Sequence, residues 1–566
     1  MKKAVQFLIW VLPIGIIAQN ALFIPDTLSG NSIELRLQSG QVEFYPEYLT
    51  KTMGYNQDYL GPTLMLNKGQ SVNMHVINDL STSTTLHWHG MHVSAKNDGG
   101  PHTVIPAGNT WSPSFTVMDQ AATYWYHPHL HQHTEEQVTL GAAGVIIVRD
   151  PEERKLILPR TYGKDDFPIV IQSRAFSADK QMMIQTAGDD VILCNGTRDA
   201  YLQVPAQVVR LRLLNGSTER VYNLGFSDDM PFYQIATDGG LLNAPVSLNR
   251  LILAPGERAE ILFDLHNVEG KTIQMTSYSS ELSWGMYGSS HPSMMPMGSI
   301  PGYGQNGLND RDFKVMQLTV VAPTENPILA VPESLITNKP YPISETSAYR
   351  NLIFTPEHDE MGPGAMTNGP FEINDAEFDP NIINFRIPLN NTEVWELTNR
   401  TAIAHPFQIH DVQFYILDIN GNPPPPNEQG RKDVVLVPPM SGTVRFITRF
   451  ADFANQETPF MYHCHMLTHE DAGMMGQFIV EGQTSGIATT TKPEITLYPN
   501  PAYDQITVSG LTPGIISVYN ANGQLLETRK SEKYFEKFQL SGLPAGMYFF
   551  KIQEKDDIQL LKVIKN

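Results

Sequence analysis

Along most of the chain, apolar and polar residues alternate. Val72, Met74 and Val76 interleave with Ser71, Asn73 and His75, and Val209, Leu211 and Leu213 with Arg210 and Arg212. In an extended chain successive side chains point to opposite faces, so this period-two pattern over short runs predicts half-buried strands. The 42 glycines and 41 prolines supply the many turns that such strands require. No long amphipathic helix stands out, and the expected fold class is all-β, with sandwich or barrel units. At about 100–200 residues per domain, 566 residues suggest three or four domains. Pro-rich breaks such as Val321-Ala322-Pro323 place three of them at about 20–155, 156–330 and 331–482.

The ends differ in character. Met1-Lys2-Lys3 precedes an apolar run from Val5 to Ala18, the pattern of a secretory signal over residues 1–18. That run is short for a membrane span, and no other segment reaches the roughly 20 apolar residues one needs. Residues 483–493 are rich in Thr, Ser and Gly and read as a linker. In residues 494–566, alternation is broken by Asn-Pro, Asn-Gly and Pro-Ala-Gly, which predicts a small β-sandwich. Its YPNP, VYNANGQ and LPAGMYF motifs and its basic end, with Lys562 and Lys565, resemble the C-terminal sorting domain of the type IX secretion machinery. That resemblance implies export across an outer membrane, then release or surface attachment. A generic carbohydrate-binding or spacer sandwich is the alternative.

A net charge of −20 argues against a nucleic-acid or anionic-membrane partner, since both require basic surface. Two cysteines exclude a disulfide scaffold, a four-cysteine zinc site and a four-thiolate iron–sulfur cluster. The histidines are more informative, because nine of the 17 fall in four short motifs. These are His87-Trp88-His89, His127-Pro128-His129, His405-Pro406-Phe407-Gln408-Ile409-His410, and His463-Cys464-His465 continuing to His469 and Met474.

Residues i and i+2 of a strand share a face, so each His-x-His pair can offer two imidazoles to one cavity. His463 and His465 then face one way and Cys464 the other, and one tripeptide can serve two metal sites. A cysteine, two histidines and a weak methionine describe a blue-copper electron-transfer centre, and Cys464, His405, His469 and Met474 supply that set. The remaining histidines form a second cluster contributed by two domains.

With Gly61-Pro62-Thr63-Leu64, HWHG, Asp98-Gly99-Gly100-Pro101, TYWYHPHLHQH, APGERAEILFD and YHCHMLTHEDAGMM, residues 40–482 resemble the three-domain multicopper oxidases. Within that family the chain looks most like bacterial cuprous oxidases and spore-coat laccases. The resemblance implies three cupredoxin-like Greek-key barrels and up to four copper ions. It implies a type 1 copper held by His405, Cys464, His469 and axial Met474. The type 3 pair would be held by His89, His127 and His465 for one ion, and by His129, His410 and His463 for the other. His87 would be a type 2 ligand. A phenolic, aromatic or metal-ion donor would be oxidised one electron at a time, and dioxygen reduced to water. Asp98 and Glu470 match acidic residues of the family's proton path. Asp98 also reads as an ordinary turn residue, and Glu470 as a carboxylate that orients a ligand histidine.

The chain departs from the family at Gln408, where a second type 2 histidine is the rule. A carboxamide oxygen is a weaker copper ligand than imidazole. Gln408 could bind copper directly or through water, type 2 copper could be absent, or the loop could shift and recruit another group. Met286, Met294, Met295 and Met297 cluster in one segment, either as soft ligands for Cu(I) or as flexible filler. Cys194 reads as buried packing, and His92, His102, His131 and His133 as neighbours of the ligands or surface residues. A copper-free structural relative and a copper nitrite reductase are the competing function classes. Nothing in the sequence sets the oligomeric state.

Overall fold

A computed structural model describes residues 19–566 except 185–186, 296–298, 358–361, 483–494, 499, 510, 512–513, 532–534 and 555–556. The expected signal, the linker and Met297 lie outside the described residues. Strands dominate, and no α-helix among the described residues exceeds six residues. None is long and apolar enough to cross a membrane.

Four units each pair two sheets around an apolar core. In the first, a five-stranded sheet that includes Gly144–Arg149, Ala122–His127 and His87–His89 faces a sheet built on Ser32–Tyr45 and Ser71–Asn78. Its core contains Leu35, Leu64, Trp88, Tyr126 and Val148. The second unit has sheets of six and seven strands around Ile169, Leu211, Leu224, Phe263 and Leu318. Asn20–Ala21 pairs with Ala200–Pro205 of this second unit, so the start of the described chain crosses over to it. The third has two five-stranded sheets around Leu352, Trp395, Phe407 and Phe446. The fourth packs three strands against four around Ile506, Val518, Phe550 and Val563.

Alternation is realised as expected in Ser71–Asn78, where Val72, Met74 and Val76 are buried. It misleads in Val208–Asn215, whose eight residues are all buried. Arg210 and Arg212 point away from the apolar core but meet acids instead of water. Arg210 pairs with Glu153 and Glu260, and Arg212 with Asp166 and Glu260. Arg212 also donates to Thr123 Oγ1 on a strand of the first unit. The polar face of this strand is therefore an interdomain surface. Burying such charges is tolerated because each is paired and hydrogen-bonded.

Two adjacent strands carry four of the candidate ligands, His405, Gln408, His463 and Cys464. Phe460–Cys464 runs antiparallel to His405–Ile409 with Phe407 opposite Cys464 and Gln408 opposite His463. Residues directly opposite one another share a face. Cys464, Phe407 and, by alternation, His405 therefore lie on one side, with Gln408 and His463 on the other.

Candidate metal centres

On the first side, Cys464 Sγ is 3.4 Å from His405 Nδ1 and 3.6 Å from His469 Nδ1. The three form one buried group of candidate metal ligands. The His405 Nε2–H donates to Thr401 Oγ1 at 2.8 Å, which leaves the Nδ1 lone pair facing the thiol. Phe371 packs edge-on against both imidazoles. Met474 is fully buried in the same core, and its carbonyl accepts the Cys464 N–H at 3.0 Å. Burial pushes the Cys464 thiol up. The same cause holds His405 well below its usual range, with neighbouring His469 adding to it, and takes His469 down to about 3. Both rings are therefore neutral and able to donate a lone pair near neutral pH.

On the other side, His89, His127 and His465 form one group and His129, His410 and His463 a second, all buried. The hydrogen bond at one ring nitrogen decides which nitrogen faces the cavity. His127 Nδ1–H donates to Pro128 O at 2.7 Å, His463 Nδ1–H to Cys464 O at 2.9 Å, and His410 Nδ1–H to Asp98 Oδ2 at 2.7 Å. The two Glu470 oxygens lie 3.3 Å from His129 Nδ1 and 3.2 Å from His463 Nδ1. The Nε2 atoms left over converge. His463 Nε2 is 3.1 Å from His129 Nε2 and 3.4 Å from His410 Nε2. His127 Nε2 is 3.4 Å from His89 Nδ1. Neither ring nitrogen of buried His465 has a hydrogen-bond partner.

Nitrogens whose protons are committed elsewhere thus aim lone pairs at one another among buried rings. Such a donor set fits soft to borderline cations, and with a thiolate site adjoining it fits copper. Burial holds His89, His127 and His129 far below their usual range and takes His410 to about 4 and His465 to about 3. All five are ready to bind metal without first losing a proton.

Asp98 and Glu470 touch the ligands themselves. Burial pushes the Asp98 carboxyl up, but His410 and His87 outweigh it and hold it below the usual carboxylate range. Burial opposes His129 and His463 at Glu470 in the same way, with the same outcome. Asp98 accepts at the outer nitrogen of His410, and Glu470 lies close to the outer nitrogens of His129 and His463, which is the placement of an orienting group. Asp98 is also the last residue of a short helix capped by Gly99 at φ 82°, so it is at once a turn residue and a partner of the ligands.

His87 stacks on His410 at 3.8 Å and gives its Nδ1–H to Asp98 O at 3.0 Å. Its Nε2 therefore faces Gln408, whose Nε2–H donates to it at 3.4 Å. Gln408 Oε1 is buried without a partner. The strand register at Gln408 is regular against both neighbours, and His87 also groups with Asp98 and His410 as candidate metal ligands. A half-turn of the amide exchanges the two atoms and directs the oxygen towards the same point as His87 Nε2.

The remaining sequence candidates lie apart from these groups. Cys194 is fully buried in the second core, its thiol pushed up to about 12 by burial. His92 lies 2.9 Å from Asp411 and 3.2 Å from Asp452, His102 bonds Gln477, His131 packs on Phe378, and His133 is exposed beside Glu136. Sequence reasoning missed Asp433, which lies 3.1 Å from His89 Nε2, Trp125, which stacks on His127, and Phe371. Residue type carries no signal for these, because their role depends on what the fold packs against them.

The family profile described as multicopper oxidase matches residues 36–153, and a second one of the same description matches residues 346–484. A secretion system C-terminal sorting domain profile matches residues 496–566. A multicopper oxidase of Staphylococcus haemolyticus is 36% identical over 456 residues, covering 79% of this chain and 88% of that protein. The cell division protein FtsP of Escherichia coli is 30% identical over 470 residues, covering 82% and 93%. A laccase-like multicopper oxidase from Ochrobactrum sp., with oxidase activity towards lignin model compounds and lignosulfonate, superposes with a TM-score of 0.71. It is 30% identical and covers 81% of this chain and 100% of that one.

Proposed function

This chain belongs to the multicopper oxidase family and carries a secretion sorting domain at its C-terminus, and from that premise we propose that it is an exported copper oxidase that uses dioxygen. One observation carries the reading. The tripeptide His463-Cys464-His465 puts its thiol into the His405–His469 set and its imidazoles into the two histidine groups behind it. His405, Cys464, His469 and Met474 would hold a type 1 copper. His89, His127 and His465 would hold one type 3 ion and His129, His410 and His463 the other, with His87 and Gln408 at a weakened type 2 position. Copper, when bound, would supply one-electron oxidation at the first set and reduction of dioxygen to water at the second.

The protein's own residues prepare both places. Phe371 and the surrounding core exclude water from Cys464, and backbone bonds from Met474 and Met466 fix the thiol's loop. Asp98 and Glu470 would keep protons on the outer ring nitrogens so that the inner ones stay open, and both are buried carboxylates beside the place where protons would be consumed. A copper count with electron paramagnetic resonance and oxygen uptake over a panel of donors tests the reading. Protein that folds, binds no copper and takes up no oxygen would be a structural relative, the reading that kinship with a cell division protein keeps in view. Nitrite consumption without oxygen uptake would instead make it a reductase.

For the donor, a phenolic or other aromatic compound is the first reading, and one observation favours a cuprous or other metal ion. The methionine segment of the middle domain docks on the backbone beside His405, with Ala404 N bonded to Gly285 O at 2.7 Å and Met294 N to Ala402 O at 2.8 Å. Trp284 and Met294 are exposed there. Thioethers suit Cu(I). Copper-stimulated oxygen uptake that falls in a variant with leucine at Met286, Met294 and Met295 supports the metal-ion donor; undiminished phenol oxidation without added copper supports the other. The sorting domain supports export as the route, with the type IX machinery as the proposed partner and the cell surface or medium as the proposed destination.

A further inference from the structure

His89 is the reverse of its neighbours. His127, His129, His410 and His463 turn Nδ1 outward and Nε2 inward, whereas His89 turns Nε2 outward to Asp433 Oδ1 at 3.1 Å and Nδ1 inward. Asp433 is held in turn by Arg258, whose Nη1 and Nη2 donate to its two oxygens at 2.6 and 2.5 Å. The other Arg258 protons go to Thr123 O at 3.1 Å, Gly256 O at 3.0 Å and Asp238 O at 3.2 Å. All five donors of the guanidinium are thus used, on the first, second and third domains together.

Two glycines record how tightly this corner is built. Gly90, at φ 84°, has Asp433 Oδ2 2.4 Å and Arg258 Nη2 2.5 Å from where a Cβ would stand. Gly256, at φ 81°, would put a Cβ 2.8 Å from the His465 ring. The segment 254–258 of the middle domain therefore abuts His465 directly and reaches His89 through Asp433, although it offers no ligand of its own.

We propose that Asp433 and Arg258 are positioning residues that lock His89 in its reversed orientation, so that the middle domain completes the His89–His127–His465 group. The inference rests on the reading that this group binds copper. An equally buried pairing that touches no ligand, Arg212 with Asp166 and Glu260, serves as the control.

Native protein and the variants Asp433→Asn, Arg258→Lys and Arg212→Lys would be loaded with copper and dialysed against graded chelator. The readouts are copper per chain, the fraction visible by electron paramagnetic resonance, blue absorbance, and the melting temperature of the copper-free form. Loss of the acceptor behind a ligand histidine weakens metal binding by about 10–100-fold. Asp433→Asn and Arg258→Lys should release cluster copper at that much lower chelator strength, raise the resonance-visible fraction as the pair uncouples, and keep the blue absorbance. Arg212→Lys should melt earlier and keep its copper. If Asp433→Asn does not fold, Arg258→Lys and a structure of copper-loaded native protein decide, the latter expected to show His89 bound through Nδ1. Chelator midpoints equal to native in the folded variants, equal copper loss in Arg212→Lys, or His89 bound through Nε2 overturns the proposal. Native protein that takes up no copper overturns the proposed function and this inference together; native uptake matched by every variant overturns the inference alone.

Discussion

The two faces of Phe460–Cys464 serve groups of different construction. On the thiol face, His405, Cys464, His469 and Met474 come from one domain, with Cys464 and Met474 inside its apolar core, His405 buried beside them and His469 partly exposed at its edge. On the imidazole face, ligands from the first and third domains meet across an interface lined by the second, and the supporting bonds are between charged or polar groups. The first group is as robust as the core around it. The second depends on the docking of three domains, because no single domain contains both halves. An electron-transfer site needs rigidity and dryness, which a core supplies. A site that handles a small molecule needs room and protons, which an interface with buried acids supplies.

The most severe way to break the comparison is Cys464→Ser. It should abolish blue absorbance and donor-driven oxygen uptake while cluster copper is retained; uptake that persists would mean that electrons do not enter at Cys464. Glu470→Gln attacks the other face. With the charged acceptor for His129 and His463 gone, cluster copper should be held about 10–100-fold more weakly, and the blue absorbance should stay. Parallel loss of both signals in chelator titrations would show that the two faces are not separable.

Gln408→His sharpens the comparison instead. An imidazole opposite His87 should tighten type 2 copper by about 10-fold and raise turnover. Turnover that stays flat while type 2 resonance grows would show that Gln408 already suffices. The smallest effect concerns docking. His92 of the first domain is pressed down by burial, but Asp411 of the third outweighs this and raises it to about 10. The raised value means that the contact stabilises fully below the unfolded pKa near 6.5 and is lost as pH rises through 10. The melting-temperature gap between native protein and His92→Gln should be about 2–4 °C at pH 6 and shrink as pH rises through 10. A gap that does not change with pH would deny the ion pair.

Much of this molecule was legible before any coordinates. Alternation announced strands, and His-x-His spacing with one intervening cysteine announced two linked sites, because strand geometry is local and turns alternate residues to the same face. Where legibility failed, the cause was an interface. Arg210 and Arg212 look like the wet side of a strand until another domain covers them. Asp433 and Arg258 are 175 residues apart, and neither sits in a histidine motif. Gln408 could be read as a departure, but only the strand register set it opposite His463.

By itself the sequence determined the strands, the histidine and cysteine spacing, and the separation of the tripeptide's side chains onto two faces, since these follow from backbone geometry over a few residues. Which ring nitrogen each histidine turns inward, which acids stand behind them, and how the middle domain enters the site were decided only by tertiary structure. Those choices are set by hydrogen bonds between groups far apart in the chain, formed in a dry interior where an unpaired charge or donor is too costly to leave.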